Sequence, residues 1–317
     1  MDASSWARLA LASGCLGCGG THVAPEVDTT SGISLAERAQ PLFEPYLPPS
    51  VETEVLEETL LDGYVRRRIR YLTPDETWAP ALHLSPVGDQ IRPGVLLIHG
   101  HDVDAEWFEE EGRALAPALA RAGFEVLAPD LRPFAAFDPE EAGHYGSDGL
   151  PWRLGNQGDR FVRVVVNDLR AALSVLRDEP RVGTVSVGGQ PLGAWLALNL
   201  TVVEPAIRAT LLSGLFLPLD VLFSTDHHGC QHMRSLYALG DTPGWVAATV
   251  RRTRFQIHWG DEDPLYPNGG PDAQNALRGL VPDAISSGRV RLDTSEGLGH
   301  DLDVPLHLAF FAEALEL

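Results

Sequence analysis

The chain has 317 residues, 44% of them hydrophobic, enough to bury one large α/β core. Its formal net charge is −20, its pI is near 4.8, and all 24 basic residues are arginine, a balance that argues against a nucleic-acid partner. Three cysteines, Cys15, Cys18 and Cys230, are too few for a disulfide scaffold at this length.

In chain order, residues 1–20 come first, with the run WARLALASGCLGCGG. They are apolar and small but too short to span a bilayer, and they read as a signal segment. Ala12-Ser13-Gly14-Cys15 resembles a bacterial lipoprotein processing site. Cys15, with Cys18 close behind, is therefore the lipidation candidate, and the chain is expected to be exported, with that lipid as its one route to a membrane. A cytoplasmic protein with an unmodified N-terminus is the alternative. Residues 21–50, rich in Pro, Ser and Thr, read as a linker or arm lying on the domain, with one short helix at SLAERAQPLF.

From residue 51 the pattern becomes regular. YVRRRIRYLT alternates and APALHLSP is short and apolar, which predicts two antiparallel strands. GVLLIHG (94–100) and FEVLAPDL (124–131) are continuous apolar runs, separated by EWFEEEGRALAPALARAG with its apolar residues at helical spacing. The rhythm continues: helix at FVRVVVNDLRAALSVLRD, strand at VGTVSVGG, helix at LGAWLALNLTV, strand at RATLLSGLF. Strands RFQIHWG (254–260) and RVRLDTS (289–295) flank a helix near DAQNALRGL, and PLHLAFFAEALEL closes the chain as a helix. This predicts one α/β domain over 51–317, with a mostly parallel sheet of about eight strands and helices on both faces.

In such sheets ligands bind beyond the carboxyl ends of the strands, so the residues there matter most. After the successive strands stand His99-Gly100-His101, then Gly188-Gly189-Gln190-Pro191-Leu192-Gly193, then Gly260-Asp261-Glu262-Asp263-Pro264, and last Gly297-Leu298-Gly299-His300-Asp301. In that order they resemble the α/β-hydrolase family, most nearly its dienelactone hydrolase and acetyl xylan esterase-like branch. The resemblance implies the α/β-hydrolase fold and a triad ordered nucleophile, acid, histidine. Pro191 falls on the nucleophile, inside the glycine frame of a G-x-S-x-G elbow, Asp263 on the acid and His300 on the base. The backbone NH groups of His101 and Leu192 fall on the oxyanion donors. His99, Gly100, Gln190, His227, His228 and His232 become candidates for facing a substrate. The substrate class implied is a small-molecule ester or acylated sugar, and no cofactor is expected.

The same residues can be read from their chemistry. A histidine after the last strand can take a proton from a hydroxyl or a water, provided a carboxylate holds its other ring nitrogen, and Asp263 is placed to do so. Proline has no hydroxyl and cannot form an acyl-enzyme. An elbow residue ordinarily has a strained, positive φ, whereas proline is fixed at about −65°. The chain is therefore expected to enter the next helix smoothly at Pro191, re-aiming the Leu192 NH. Ser186, Ser213 and Cys230 remain as other hydroxyl or thiol groups, none on an elbow. The run Asp226-His227-His228-Gly229-Cys230-Gln231-His232 has zinc-type ligands but lies where this fold carries a cap loop, and no metal is expected there. His101, Asp102 and Asp104 read as a solvated loop. The leading expectation is a protein of esterase descent, impaired by loss of its serine. The alternatives are a working esterase that uses another nucleophile or a histidine-activated water, and a surface-anchored binding protein.

Overall fold

The computed structural model describes residues 34–44, 50–101, 103–132, 158–224, 233–263 and 269–316. Nine strands among them form one sheet: β1 (Thr53–Leu61), β2 (Tyr64–Leu72), β3 (Trp78–Pro86), β4 (Arg92–Ile98), β5 (Glu125–Pro129), β6 (Val182–Gly189), β7 (Ile207–Ser213), β8 (Arg254–Gly260) and β9 (Val290–Ser295). The spatial order is β1-β2-β3-β5-β4-β6-β7-β8-β9. Pairings from β1 through to β5 are antiparallel, and those from β5 through to β9 are parallel.

The central strands carry runs of apolar residues because both faces are covered. In β4, Val95 and Leu97 pack into one hydrophobic cluster while Leu96 and Ile98 pack into the other. A strand covered on both faces reads as an apolar run and shows no period-two alternation of apolar and polar residues.

Nine α-helices lie among the described residues: α1 (Leu35–Ala39), α2 (Leu115–Arg121), α3 (Gly158–Asp178), α4 (Leu192–Val203), α5 (Leu219–Ser224), α6 (Thr242–Thr249), α7 (Gly269–Leu280), α8 (Pro282–Ser286) and α9 (Val304–Ala314). Helices α1, α3, α4 and α6 contribute to the larger cluster, on one face. Helices α2 and α9 supply Leu115, Leu119, Phe310 and Phe311 to the other. Every residue of α4 is buried, which explains why it is hydrophobic all round. None of the helices among the described residues is long and apolar enough to cross a membrane.

Residues 34–43 also pack on the core. Ser34 and Glu37 form a reciprocal capping box, with the Glu37 NH donating to Ser34 Oγ at 3.2 Å and the Ser34 NH to Glu37 Oε2 at 2.7 Å. Leu35, Ala39 and Phe43 then enter the larger cluster.

The sheet has nine strands where about eight were expected, and β1 is the strand that the pattern did not reveal. Among the described residues it is an edge strand paired only with β2, and eight of its nine residues are exposed. With no buried side it carries no period-two signature. It is held by the Asp62-Gly63 turn, where Gly63 has φ 87°, and by charge pairs across the hairpin, including Arg67 to Glu58 at 2.6 Å and Arg70 to Glu54 at 2.7 Å. A register shift between Val55 and Glu57 marks a bulge.

Candidate active site

The turn Gly189-Gln190-Pro191-Leu192-Gly193 joins β6 to α4. A Cβ on Gly189 would collide with the Gly193 backbone, and one on Gly193 with the carbonyl oxygens of Ile98 and His99. Glycine at both positions is what lets the first turn of α4 press against the ends of β6 and β4. Pro191 caps α4 with φ −76° and ψ −33°, inside the helical region, and no residue of this turn has a positive φ. The proline ring dictates this relaxed entry into the helix.

The loops after β8 and β9 are clamped to each other. The Glu262 NH donates to the Leu298 carbonyl at 3.0 Å, the Asp261 NH to the Ser295 carbonyl at 3.1 Å, and the Gly297 NH to Asp261 Oδ1 at 2.7 Å. A Cβ on Gly260 would overlap the Leu298 and Gly299 carbonyls, so the approach needs glycine. The clamp sets Asp263 Oδ2 2.7 Å from His300 Nδ1. Asp263 is buried, and the His300 side chain is partly exposed. A proton on Nδ1 donated to this carboxylate leaves Nε2 as the basic nitrogen.

Pro191 and His300 share one small space above the end of β7. A Cβ built on Gly214 would stand 3.6 Å from Pro191 Cβ and 3.5 Å from His300 Cε1. Gly214 has φ 74°, a conformation that suits glycine and keeps that space open.

Gln190, expected to face a substrate, is buried, and its side-chain amide donates to the His300 carbonyl at 2.9 Å. His99, also expected at the pocket wall, is wholly buried. Its Nε2 accepts the Leu131 NH at 2.9 Å, and its Nδ1–H donates to the Gly100 carbonyl at 2.8 Å. Burial pushes its pKa down to about 4, so the ring is neutral and structural. Gly100 packs directly on the elbow turn, for a Cβ there would meet the Gln190 carbonyl oxygen at 2.9 Å and Pro191 Cδ at 3.0 Å. His101 follows, half-buried. Leu192 is the first residue of α4, where a backbone NH has no acceptor within the helix. Further along, Asp130 Oδ1 accepts the Ala105 NH at 2.8 Å, and burial raises its carboxyl to about 6.

Two serines weighed as substitute nucleophiles are committed elsewhere. Ser186 is buried and its Oγ accepts the Ala209 NH at 3.2 Å. Ser213 is buried with Oγ 3.1 Å from His258 Nδ1, and His258 Nε2 lies 2.9 Å from Ser295 Oγ, which donates in turn to Asp303 Oδ2. This relay joins β7, β8, β9 and the cap of α9, and no motif in the sequence signals it beyond the helix-capping Asp303 ahead of Pro305. Arg113 is a second residue that sequence reasoning missed: it grips Asp301, next to His300, with bonds of 2.7 and 3.2 Å. No cluster of His, Cys, Asp and Glu among the described residues is arranged to hold a metal ion. Cys15, Cys18, Asp102, His227, His228, Cys230 and His232 lie outside the described residues.

No family model matches the chain. Over 135 residues it is 27% identical to Esterase YjfP of Escherichia coli (strain K12), a match that spans 41% of this chain and about half, 49%, of that relative. Among solved structures, acetyl xylan esterase 1 from Thermoanaerobacterium sp. JW/SL YS485 is similar with a TM-score of 0.60 at 16% identity, over 94% of this chain and 95% of its own. The acetyl xylan esterase from Paenibacillus sp. R4 gives 0.62 at 17% identity, over 92% and 96%. An S-formylglutathione hydrolase from Agrobacterium tumefaciens gives 0.59 at 15% identity, over 83% and 99%. What these structures share with the chain is the fold.

Proposed function

We propose that this chain, whose fold is that of the α/β-hydrolase esterases, descends from a carboxylic-ester hydrolase, has lost its nucleophile at position 191, and now binds a small ester or acylated sugar with little or no turnover. The observation that carries the reading is the meeting of Pro191 and the Asp263-held imidazole of His300 above Gly214. An acceptor for a hydroxyl proton stands there, and the neighbouring residue has no hydroxyl to give.

Loss of the nucleophile from a triad costs on the order of a millionfold in kcat, and what remains comes from transition-state hydrogen bonding and binding. His300 could still draw a proton from water, but the relaxed turn at Pro191 alters the direction of the Leu192 NH, one of the two candidate oxyanion donors, so that route is weak. The ligand class takes its direction from the acetyl xylan esterases among the structural neighbours. Export with lipidation at Cys15 or Cys18 is part of the proposal and rests on the small residues that precede Cys15.

The test is hydrolysis of nitrophenyl acetate by the natural protein, Pro191→Ser, and Pro191→Ser combined with His300→Ala. A silent natural protein and a Pro191→Ser variant with His300-dependent activity support the reading. Labelling of the natural protein by a fluorophosphonate, or His300-dependent turnover without the substitution, overturns it.

A further inference from the structure

At the amino ends of the parallel strands, across the sheet from Asp263 and His300, lies a second concavity. Arg208 of β7, Arg254 of β8, Arg252 in the turn before β8 and Arg289 just ahead of β9 surround a cavity of about 300 Å³ that Glu316 also lines. The chain carries 44 acidic residues against 24 arginines, yet none of these four arginines makes an ion pair among the described residues. Nearby Glu313 gives its carboxylate to Arg291, and Glu204 gives its own to Arg170.

Three of the four have a structural task. Arg252 donates to the Thr201 and Glu204 carbonyls at the end of α4, Arg289 to those of Val250 and Arg251 after α6, and Arg254 to that of Glu313 in the last turn of α9. Guanidinium groups at helix C-termini offset the macrodipole, but each end carries only about half a negative charge, so three ends balance roughly one and a half of four positive charges. Glu316 brings the count nearer to balance and leaves an excess of positive charge. Arg208 has no such task. It is exposed and makes no hydrogen bond or ion pair with any described residue. Its charge helps hold the Arg252 pKa below the usual guanidinium value, after the larger effect of burial. Like charges held together around a hollow favour an anion between them.

We propose that this arginine cavity binds the phosphate group of a small phosphorylated molecule. Guanidinium groups remain charged and match phosphate oxygens in geometry. The cavity has room for roughly ten waters' share of liquid volume, more than a single phosphate needs, and Ala314 and Leu315 on its wall offer an apolar surface to the rest of the ligand. The site does not depend on the function proposed above.

The test is calorimetric titration and thermal unfolding of the full chain with inorganic phosphate and with phenyl phosphate, against chloride at equal ionic strength. Both phosphates should bind and raise Tm above chloride, phenyl phosphate more than phosphate. Arg208→Ala relieves a like-charge contact and should not lower the unliganded Tm, while it should weaken binding roughly tenfold, the worth of one charged hydrogen bond. Arg208→Lys should recover part of that loss and Arg208→Glu should abolish binding. Phosphates that act no differently from chloride, or Arg208→Ala and Arg208→Glu variants that bind as the natural protein does, overturn the proposal. Inorganic phosphate binding without phenyl phosphate binding overturns the organic part of the ligand and leaves a site for the free ion.

Discussion

The Gln190 side chain holds the His300 backbone, its amide donating to the carbonyl at 2.9 Å, so the residue before Pro191 positions the loop that carries the imidazole. With serine placed at 191, the distance from hydroxyl to imidazole would depend on this strut. Adding Gln190→Ala to Pro191→Ser should lower kcat for nitrophenyl acetate roughly ten- to a hundredfold, with KM little changed, because misplacement of about 1 Å at a reacting group costs on that order. Steady-state kinetics of the two variants decide it. Equal kcat values would show that the His300 loop is held without Gln190.

Ser213 is bound to His258 and buried, so it contributes stability and no chemistry. Ser213→Ala strands His258 Nδ1 and should cost about 1–3 kcal/mol in urea unfolding. Whatever trace of ester hydrolysis the natural protein shows should survive the substitution. A stable variant with that trace abolished would instead make Ser213 the replacement nucleophile.

Two glycine-to-alanine changes should have opposite signs. At Gly193 the new methyl would meet the Ile98 and His99 carbonyls, backbone that cannot step aside, and the variant should lose about 3 kcal/mol or fail to fold. Gly279 lies in α7 with nothing within 4 Å of a Cβ, so alanine there should add about 0.5–1 kcal/mol. Thermal unfolding of both variants measures the contrast.

His99 should make the protein sensitive to acid. Its pKa falls from an ordinary 6.5 to about 4 in the fold, so between those values the unfolded chain takes up a proton that the native ring refuses. Stability from this group is complete above pH 6.5 and is lost as the pH falls towards 4, up to about 3 kcal/mol in all. His258 shifts the same way through burial. The urea midpoint of the natural protein should therefore drop more between pH 7 and pH 5 than that of His99→Gln. Parallel profiles would mean that His99 is protonated in the native state.

Much of this architecture was legible locally. The βα rhythm from residue 94 onward depends on periodicity alone, and the conformation of Pro191 follows from its own ring, with no knowledge of its neighbours needed. Asp263 and His300 were readable because each follows a strand, and strand ends converge in a parallel sheet. Other features depend on contacts between distant segments. That the His99 ring turns inward to the Leu131 NH depends on β4 and β5 being neighbours, and the Ser213–His258 bond depends on the pairing of β7 with β8. The first strand was missed for another reason. Thr53–Leu61 has no buried face, so only the Asp62-Gly63 turn marked it, and hydrophobic pattern could not.

That strand also governs how copies of the protein behave in a crowded solution. Among the described residues it is the outer edge of a nine-stranded sheet, with Val55, Leu56 and Leu60 exposed and no strand on its far side. Such an edge invites a neighbouring chain to add a strand and start a fibre. Here an approaching copy would meet an interrupted ladder at the Val55/Glu57 bulge, which a regular strand cannot match in register. That misfit, with charged side chains from Glu54 and Glu58 tied to Arg70 and Arg67 along the rim, works against a further strand joining there.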